Sequence, residues 1–74
     1  GDQEIDFITE GADGPKYYQV AESVSDPKTL KRELTPLRSL PDNHPKYLIT
    51  LDDTDLISHE GIHQITALDW LLAN

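Results

Sequence analysis

Cysteine and methionine are both absent from this 74-residue chain, and phenylalanine and tryptophan occur once each. Without cysteine, disulfide bonds cannot stabilise the fold as they do in many small secreted domains. Stabilisation matters because a domain near this size buries only ~60% of the surface that its unfolded chain exposes. We therefore expect residues 1–74 to form one domain that belongs to a larger protein.

Basic residues are also scarce, since 6 Lys and Arg stand against 14 Asp and Glu, for a net charge of -8. Nucleic-acid binding depends on Lys and Arg that neutralise phosphates, so this balance disfavours a nucleic-acid partner. It disfavours an anionic membrane surface for the same reason. No apolar run approaches the ~18 residues that span a bilayer, and the start GDQEIDF lacks the basic and apolar regions of a signal peptide. We expect a cytoplasmic protein with no membrane partner.

The first third of the chain predicts a β-hairpin. Polar and apolar residues alternate over Glu4–Glu10, which places Ile5, Phe7 and Thr9 on one side of a strand. The segment GADGP then supplies an Asp-Gly pair, a frequent hairpin turn. Lys16–Ser23 has the composition of a second strand, which we expect to run antiparallel to the first.

A helix is predicted next. Asp26 can accept a hydrogen bond from the free amides of the first turn, and Pro27 suits the first helical position. One apolar stripe follows, at i, i+4 and i+7: Leu30, Leu34 and Leu37. Pro36 removes one helical hydrogen bond, so we expect regular helix to about Thr35 and a looser continuation to Leu40.

Two more strands and a short helix complete the predicted order. Pro41–Pro45 has loop composition, and the apolar Lys46–Asp53 is typical of a strand covered on both faces. After the polar TDLISHEG, Ile62–Leu68 alternates as a strand does, and Asp69 is the expected cap of a terminal helix. The order is β-β-α-β-β-(α). It predicts an α/β or α+β domain with a mixed sheet and one main helix packed on that sheet.

The pentapeptide HEGIH at residues 59–63 matches the H-E-x-x-H pattern of zinc peptidases. Such a site needs both histidines one turn apart on a helix, so that they bind one Zn²⁺. Gly61 disfavours a helix by about 1 kcal/mol relative to Ala, and the residues after it alternate as in a strand. We therefore predict a turn here, with His59 in the loop before the strand and no shared metal.

Four further sets of residues have ordinary structural interpretations. Asp52, Asp53 and Asp55 lack the spacing of a calcium loop and predict a solvated strand-end loop, while His44 is expected to be a turn residue. Four basic residues are expected to form a solvated surface of the predicted helix, which is also the one patch where an anionic or acidic partner would be sought: Lys28, Lys31, Arg32 and Arg38. Four aromatic residues are expected in strands or the core rather than on a stacking platform: Tyr17, Tyr18, Tyr47 and Trp70.

Four segments taken together carry a family resemblance: EIDFI, YYQVAESVSDPKTLKREL, PDNHPKYLITLDD and EGIHQITALDWLL. They resemble the C-terminal domain of unknown function found in bacterial and archaeal AAA-type ATPases. That resemblance implies a restriction-endonuclease-like fold, and it implies that an ATPase module precedes the domain. The chain itself contains no G-x-x-x-x-G-K-[ST] phosphate loop. ATP and Mg²⁺ would therefore bind in the parent protein, outside this chain.

Nucleases of that fold hold one or two Mg²⁺ ions with carboxylates and place a lysine near the attacking water. By the resemblance, Asp6 stands at the acidic position, whereas Gln19 stands where the family has Glu and Ala21 where it has Lys. Alternation along the strand keeps Gln19 and Ala21 on one face. The resemblance therefore implies a degenerate site, with Asp6 and Gln19 as its remnants, no catalytic residue, and no metal or cofactor bound by this chain.

The function implied is a non-catalytic module that helps an ATPase recognise or position a partner. The parent's own ATPase region is the expected partner in cis, and a further protein or nucleic-acid partner stays open. The alternative is a Mg²⁺-dependent nuclease domain with its site around Asp6 and Gln19.

Overall fold

The computed structural model describes residues 5–52 and 57–73, which form a small α+β fold around one mixed, five-stranded sheet. The elements in chain order are β1 (Phe7–Gly11), β2 (Gly14–Ala21), α1 (Pro27–Arg38), β3 (Lys46–Thr50), β4 (Ile57–His59), β5 (Ile62–Thr66) and α2 (Ala67–Ala73). The strands lie in the order β1-β2-β3-β5-β4. The three central strands are parallel, and each outer strand is antiparallel to its neighbour. The predicted mixed sheet with a packed helix is confirmed, but the predicted order lacked β4.

The predicted hairpin is formed by β1 and β2, with Phe7 opposite Tyr18 and Gly11 opposite Gly14. The expectation that Ile5 and Phe7 share a side is wrong. Ile5 packs against the core under α1, whereas Phe7 stacks on Tyr18 on the other face of the sheet. The reason is that Asp6 lies outside the ladder and hydrogen-bonds through its own side chain and amide, so β1 begins only at Phe7.

Helix α1 begins as predicted, with the Asp26 carboxylate accepting a hydrogen bond of 2.9 Å from the amide of Lys28. The prediction of regular helix only to about Thr35, with a looser continuation to Leu40, is wrong, because regular helix continues through Pro36 to Arg38. Pro36 is buried there, so packing of its ring offsets the hydrogen bond that a proline cannot donate. The amide of Ser39 closes the helix by donating to the carbonyl of Thr35 at 3.1 Å.

Strand β3 lies at the centre of the sheet, and its covering on both faces agrees with the prediction. Leu48 packs in the core under α1, and Ile49 is buried on the opposite face. The strand ends at Thr50 because the next amide, that of Leu51, turns to the carbonyls of Ala21 and Glu22. The predicted strand end, Asp53, lies outside the described residues.

The last third of the chain corrects three predictions. Ile57–His59 is a short edge strand, because it pairs with β5, and is not part of a polar loop. Helix α2 begins at Ala67, so the strand does not reach Leu68. Its cap is Thr66 rather than Asp69, since the Thr66 hydroxyl accepts a hydrogen bond from the amide of Asp69 at 3.1 Å.

The sheet buries different side chains on its two faces. Under α1 lies an aliphatic core: Ala21, Val24, Leu34, Leu37, Leu48 and Ile62. On the opposite face a row of rings crosses four strands: Phe7, Tyr18, Tyr47 and His63. Trp70 of α2 packs against this row, with its ring centroid 5.6 Å from that of Tyr18. Within residues 5–52 and 57–73, no helix is long and apolar enough to cross a membrane.

Candidate functional site

Asp6 and Gln19, the two candidate site residues, are brought together at the start of the hairpin. The Gln19 side-chain oxygen accepts a hydrogen bond from the amide of Asp6 at 2.7 Å. In return, the Asp6 carboxylate accepts one from the amide of Val20 at 2.8 Å. The two hydrogen bonds cross between the start of β1 and the end of β2. In each of them, a side-chain oxygen on one side of the pairing accepts a hydrogen bond from a backbone amide on the other side.

The surroundings of the pair decide which chemistry it can support. Gln19 is only 5% exposed, and it lies on the face under α1. Ala21, at the position where the resemblance expects a lysine, is on the same face and packs in the aliphatic core. Strand alternation is therefore as predicted. Asp6 is exposed, but one of its carboxylate oxygens binds a backbone amide, so the pair acts as a structural link between the strands.

The two histidines of HEGIH lie on opposite faces of the sheet. His59 stands opposite Ile62, and Ser58 stands opposite His63, in the antiparallel pairing of β4 and β5. The His59 imidazole donates to the side-chain oxygen of Gln64 at 2.7 Å, whereas His63 lies against Tyr47. The predicted turn is confirmed, although His59 lies in a strand rather than in a loop. These histidines cannot bind one metal ion together.

The other acidic and basic candidates lie apart from one another. Asp52 follows β3 and accepts a hydrogen bond of 2.6 Å from the Ser23 hydroxyl, and Asp53 and Asp55 lie outside the described residues. The four basic residues of α1 are exposed, as predicted, and one of them, Arg38, lies 3.8 Å from Glu60. An exposed pair of this kind contributes about 0–1 kcal/mol.

His44 is in the loop before β3, as predicted, and its ring covers the start of β2. A β-carbon on Gly14, whose φ is +101°, would lie 2.9 Å from Cε1 of the imidazole. Only glycine fits under this ring with that backbone conformation. The histidine therefore fixes the loop to the hairpin.

A polar network lies toward the amino ends of β2 and β3. The Tyr17 hydroxyl donates to the carboxylate of Asp42 at 2.6 Å. The Lys46 ammonium donates to the carbonyls of Asp42 and His44, at 2.7 and 3.0 Å, and lies 3.4 Å from the Asp42 carboxylate. A half-open cavity of about 300 Å³ adjoins the network and is lined also by Arg38 and Glu60.

Hydrogen bonding within this network shifts two pKa values in opposite directions. The Tyr17 hydroxyl, helped by the amide of His44 and by Lys46, lowers the pKa of the Asp42 carboxyl. The same hydrogen bond, together with desolvation and the negative charge of Asp42, raises the pKa of Tyr17. The network therefore holds a neutral tyrosine and an ionised aspartate, and neither shift prepares a base for neutral pH.

Sequence patterns did not point to this network. Tyr17 and Asp42 are 25 positions apart, and they meet only because β2 and β3 pair with Tyr17 opposite Lys46. A partial signal was present in PDNHP, since an Asp followed two residues later by an amide donor forms a common turn. That turn is formed, with the His44 amide donating to the Asp42 carboxylate at 3.1 Å.

Two further observations bear on the chemistry of the chain: the placement of possible metal ligands, and the comparison with known proteins. No three His, Asp or Glu side chains within the described ranges are placed to share a metal ion. The absence of metal and cofactor binding stays a prediction. Comparison of the chain with protein-family models, with curated proteins and with solved structures found no match.

Proposed function

We propose that this chain is a catalytically inactive, restriction-endonuclease-like module of a cytoplasmic AAA-type ATPase, and that it recognises or positions a partner for that ATPase. The observation that supports this most is the crossed pair of hydrogen bonds in which the Asp6 amide donates to the Gln19 side chain and the Val20 amide donates to the Asp6 carboxylate. The two residues that stand at the nuclease positions bind backbone amides instead of facing an open metal site.

The replacement of the nuclease lysine supports the same proposal. In-line displacement at phosphorus requires carboxylates free to hold Mg²⁺ and a group that activates or stabilises the attacking water. Ala21 can supply no such group, and it is only 8% exposed within the core under α1. A parallel β2-α1-β3 crossover beside an antiparallel hairpin is compatible with the mixed sheet of that fold. The parent's ATPase region, with its own ATP and Mg²⁺, is the proposed partner in cis.

The test is a cleavage assay on supercoiled and single-stranded DNA with Mg²⁺ or Mn²⁺, using the wild type, Asp6→Ala and the matched exposed carboxylate variant Glu10→Ala. We expect no cleavage by any of them. Because Asp6 links two strands, we expect Asp6→Ala to lower the free energy of unfolding by about 1 kcal/mol, with Glu10→Ala within about 0.5 kcal/mol of wild type. Cleavage that Asp6→Ala removes and Glu10→Ala retains would establish the nuclease alternative.

Association with the ATPase region is tested separately. We expect a separately purified ATPase region of the parent protein to retain this chain in a pull-down at micromolar concentration. Failure to associate at that concentration would contradict the proposed position in cis, whatever the outcome of the cleavage assay.

A further inference from the structure

Helix α2 exposes a stripe of leucines. Leu68, Leu71 and Leu72 lie at i, i+3 and i+4, on one face of the helix, and are 65%, 64% and 76% exposed. The packing of α2 does not require them, because Trp70 makes the contact with Tyr18 and Phe7. The helix is therefore apolar both toward the sheet and toward solvent. Contiguous exposed apolar surface of this kind marks interaction sites in soluble proteins.

Leu51 is a further exposed apolar residue, at the edge of the sheet where β3 and β5 end. Thr50 pairs with Thr66, so Leu51 and the first residue of α2 leave the sheet at neighbouring positions. Leu51 is 65% exposed and lines an open depression of about 550 Å³ together with Glu22 and Asp52. At this edge, the exposed apolar side chain of Leu51 therefore lies beside two carboxylates.

The charges around the leucines have one sign. Asp69 is the charged residue of α2, and the depression beside Leu51 contributes Glu22 and Asp52. The six cations lie on other elements: Lys28, Lys31, Arg32 and Arg38 on α1, against the opposite face of the sheet, and Lys16 and Lys46 in the amino-terminal halves of β2 and β3. A second copy of the chain would bring carboxylates against carboxylates, with -8 on each molecule. The surface instead complements an apolar partner flanked by Lys or Arg.

We propose that the leucine surface binds a basic amphipathic helix of a protein partner. This surface consists of Leu51, Leu68, Leu71 and Leu72, and its acidic rim consists of Glu22, Asp52 and Asp69. Recognition by this route places apolar anchors at i, i+3, i+4 and i+7 against the leucines and cationic side chains against the rim. The inference rests on the proposed recognition role and names the class of partner. Its test is independent of nuclease activity.

Trp70 is the only tryptophan in the chain and lies on α2 itself, so its fluorescence reports binding. The probe is a synthetic, tryptophan-free peptide of Leu and Lys with an amphipathic helical pattern, and the control peptide has Glu in place of Lys. We expect saturable, micromolar binding of the Lys peptide that weakens with added salt, and no saturation with the Glu peptide. In the double variant Leu71→Ser/Leu72→Ser, binding should weaken at least tenfold.

The matched control is Ile8→Ser, which removes a 52% exposed apolar side chain from the edge strand β1. We expect it to bind the Lys peptide as wild type does. Equal binding by all three proteins would show unspecific attraction of charge and would overturn the proposal. So would self-association in sedimentation equilibrium that the double variant abolishes, because the occupant would then be a second copy. Binding to vesicles of anionic lipid that depends on the same leucines would overturn it as well. None of these outcomes bears on the cleavage assay.

Discussion

At the scale of single residues, two threonines that pair across the sheet differ in whether their hydroxyl groups have a hydrogen-bond partner. Thr50 and Thr66 stand opposite each other in β3 and β5, and both are buried. The Thr66 hydroxyl caps α2, whereas the Thr50 hydroxyl has no hydrogen-bond partner within residues 5–52 and 57–73. A buried polar group without a partner costs about 1–3 kcal/mol.

The two sites therefore predict opposite effects of the same substitution. Thr50→Val keeps the shape and removes the lone hydroxyl, so the free energy of unfolding should rise by about 1 kcal/mol. Thr66→Val removes a cap and should lower it by about 1 kcal/mol. Urea denaturation of the two variants and the wild type measures both changes. A loss of stability in Thr50→Val as large as that in Thr66→Val would contradict the assignment.

The Tyr17–Asp42 hydrogen bond makes stability depend on pH at both extremes. The pKa of Asp42 is lowered from 3.8 on folding, so its contribution is present above that pH and is lost as the pH falls through the folded value. The pKa of Tyr17 is raised from 10.0, so its contribution is present below pH 10.0 and is lost as the pH rises through the folded value.

Tyr17→Phe removes the shared cause of both shifts. We expect the loss of stability below pH 3.8 to be smaller in this variant than in wild type, because the Asp42 carboxyl then titrates nearer its ordinary value. Denaturation curves across an acidic pH series measure the difference. On the alkaline side, ultraviolet titration of tyrosinate should lose the component of Tyr17, whose pKa the Asp42 carboxylate raises. Identical acid profiles for the two proteins would contradict the role of this bond.

At the scale of elements, the turn between β4 and β5 has two central residues with positive φ, of which glycine suits that conformation and glutamate does not. Glu60 has a φ of 53° and Gly61 a φ of 90°, so both central positions are left-handed. Two-residue hairpins with this geometry favour Asn-Gly, because asparagine tolerates positive φ better than most residues do. A β-carbon on Gly61 would contact nothing within 4 Å, so backbone conformation alone requires glycine there.

We expect Glu60→Asn to raise the free energy of unfolding by about 0.5 kcal/mol and Gly61→Ala to lower it by about 1 kcal/mol. Thermal and urea unfolding of the two variants measure these changes. Because Glu60 also lies near Arg38, the control is Arg38→Ala, whose effect isolates the ion pair. Stabilisation by Gly61→Ala would contradict the positive φ.

Elements with a local signal were predictable from sequence, and elements defined by pairing were not. Asp26 and Pro27 mark the start of α1, and the apolar run of β3 marks a covered strand, so both were predicted. The proximity of Asp6 to Gln19 could be predicted, because a hairpin turn brings the two strands together. In contrast, β4 is three residues long and includes polar Ser58 and His59, so it is defined by its pairing with β5.

At the scale of the whole molecule, the excess of negative charge sets how stability depends on salt. The 14 carboxylates and 6 cations leave -8 on a body with a radius of gyration of 11.7 Å. Exposed pairs such as Arg38–Glu60 each contribute about 0–1 kcal/mol. Screening over a Debye length of about 10 Å at 0.1 M salt acts across much of the molecule.

We therefore expect the free energy of unfolding to rise when sodium chloride increases from about 0.01 M to 0.15 M, because screening weakens repulsion among the carboxylates more than it weakens the few pairs. Urea midpoints at a series of salt concentrations measure this. A fall in the midpoint over that range would mean that specific ion pairs dominate.

The central position of β3 makes both halves of the sheet depend on pairings between strands that are distant in sequence. The hairpins β1-β2 and β4-β5 each close over a short turn, but both reach the rest of the sheet only through β3. Loop closure makes such distant pairings slower than local ones. Amide hydrogens of Leu48 and Ile49 should then exchange with solvent only when the whole sheet opens, while those of the edge strand β4 exchange through local opening. Exchange measured by NMR tests this dependence, and exchange of Leu48 and Ile49 as fast as that of β4 would contradict it.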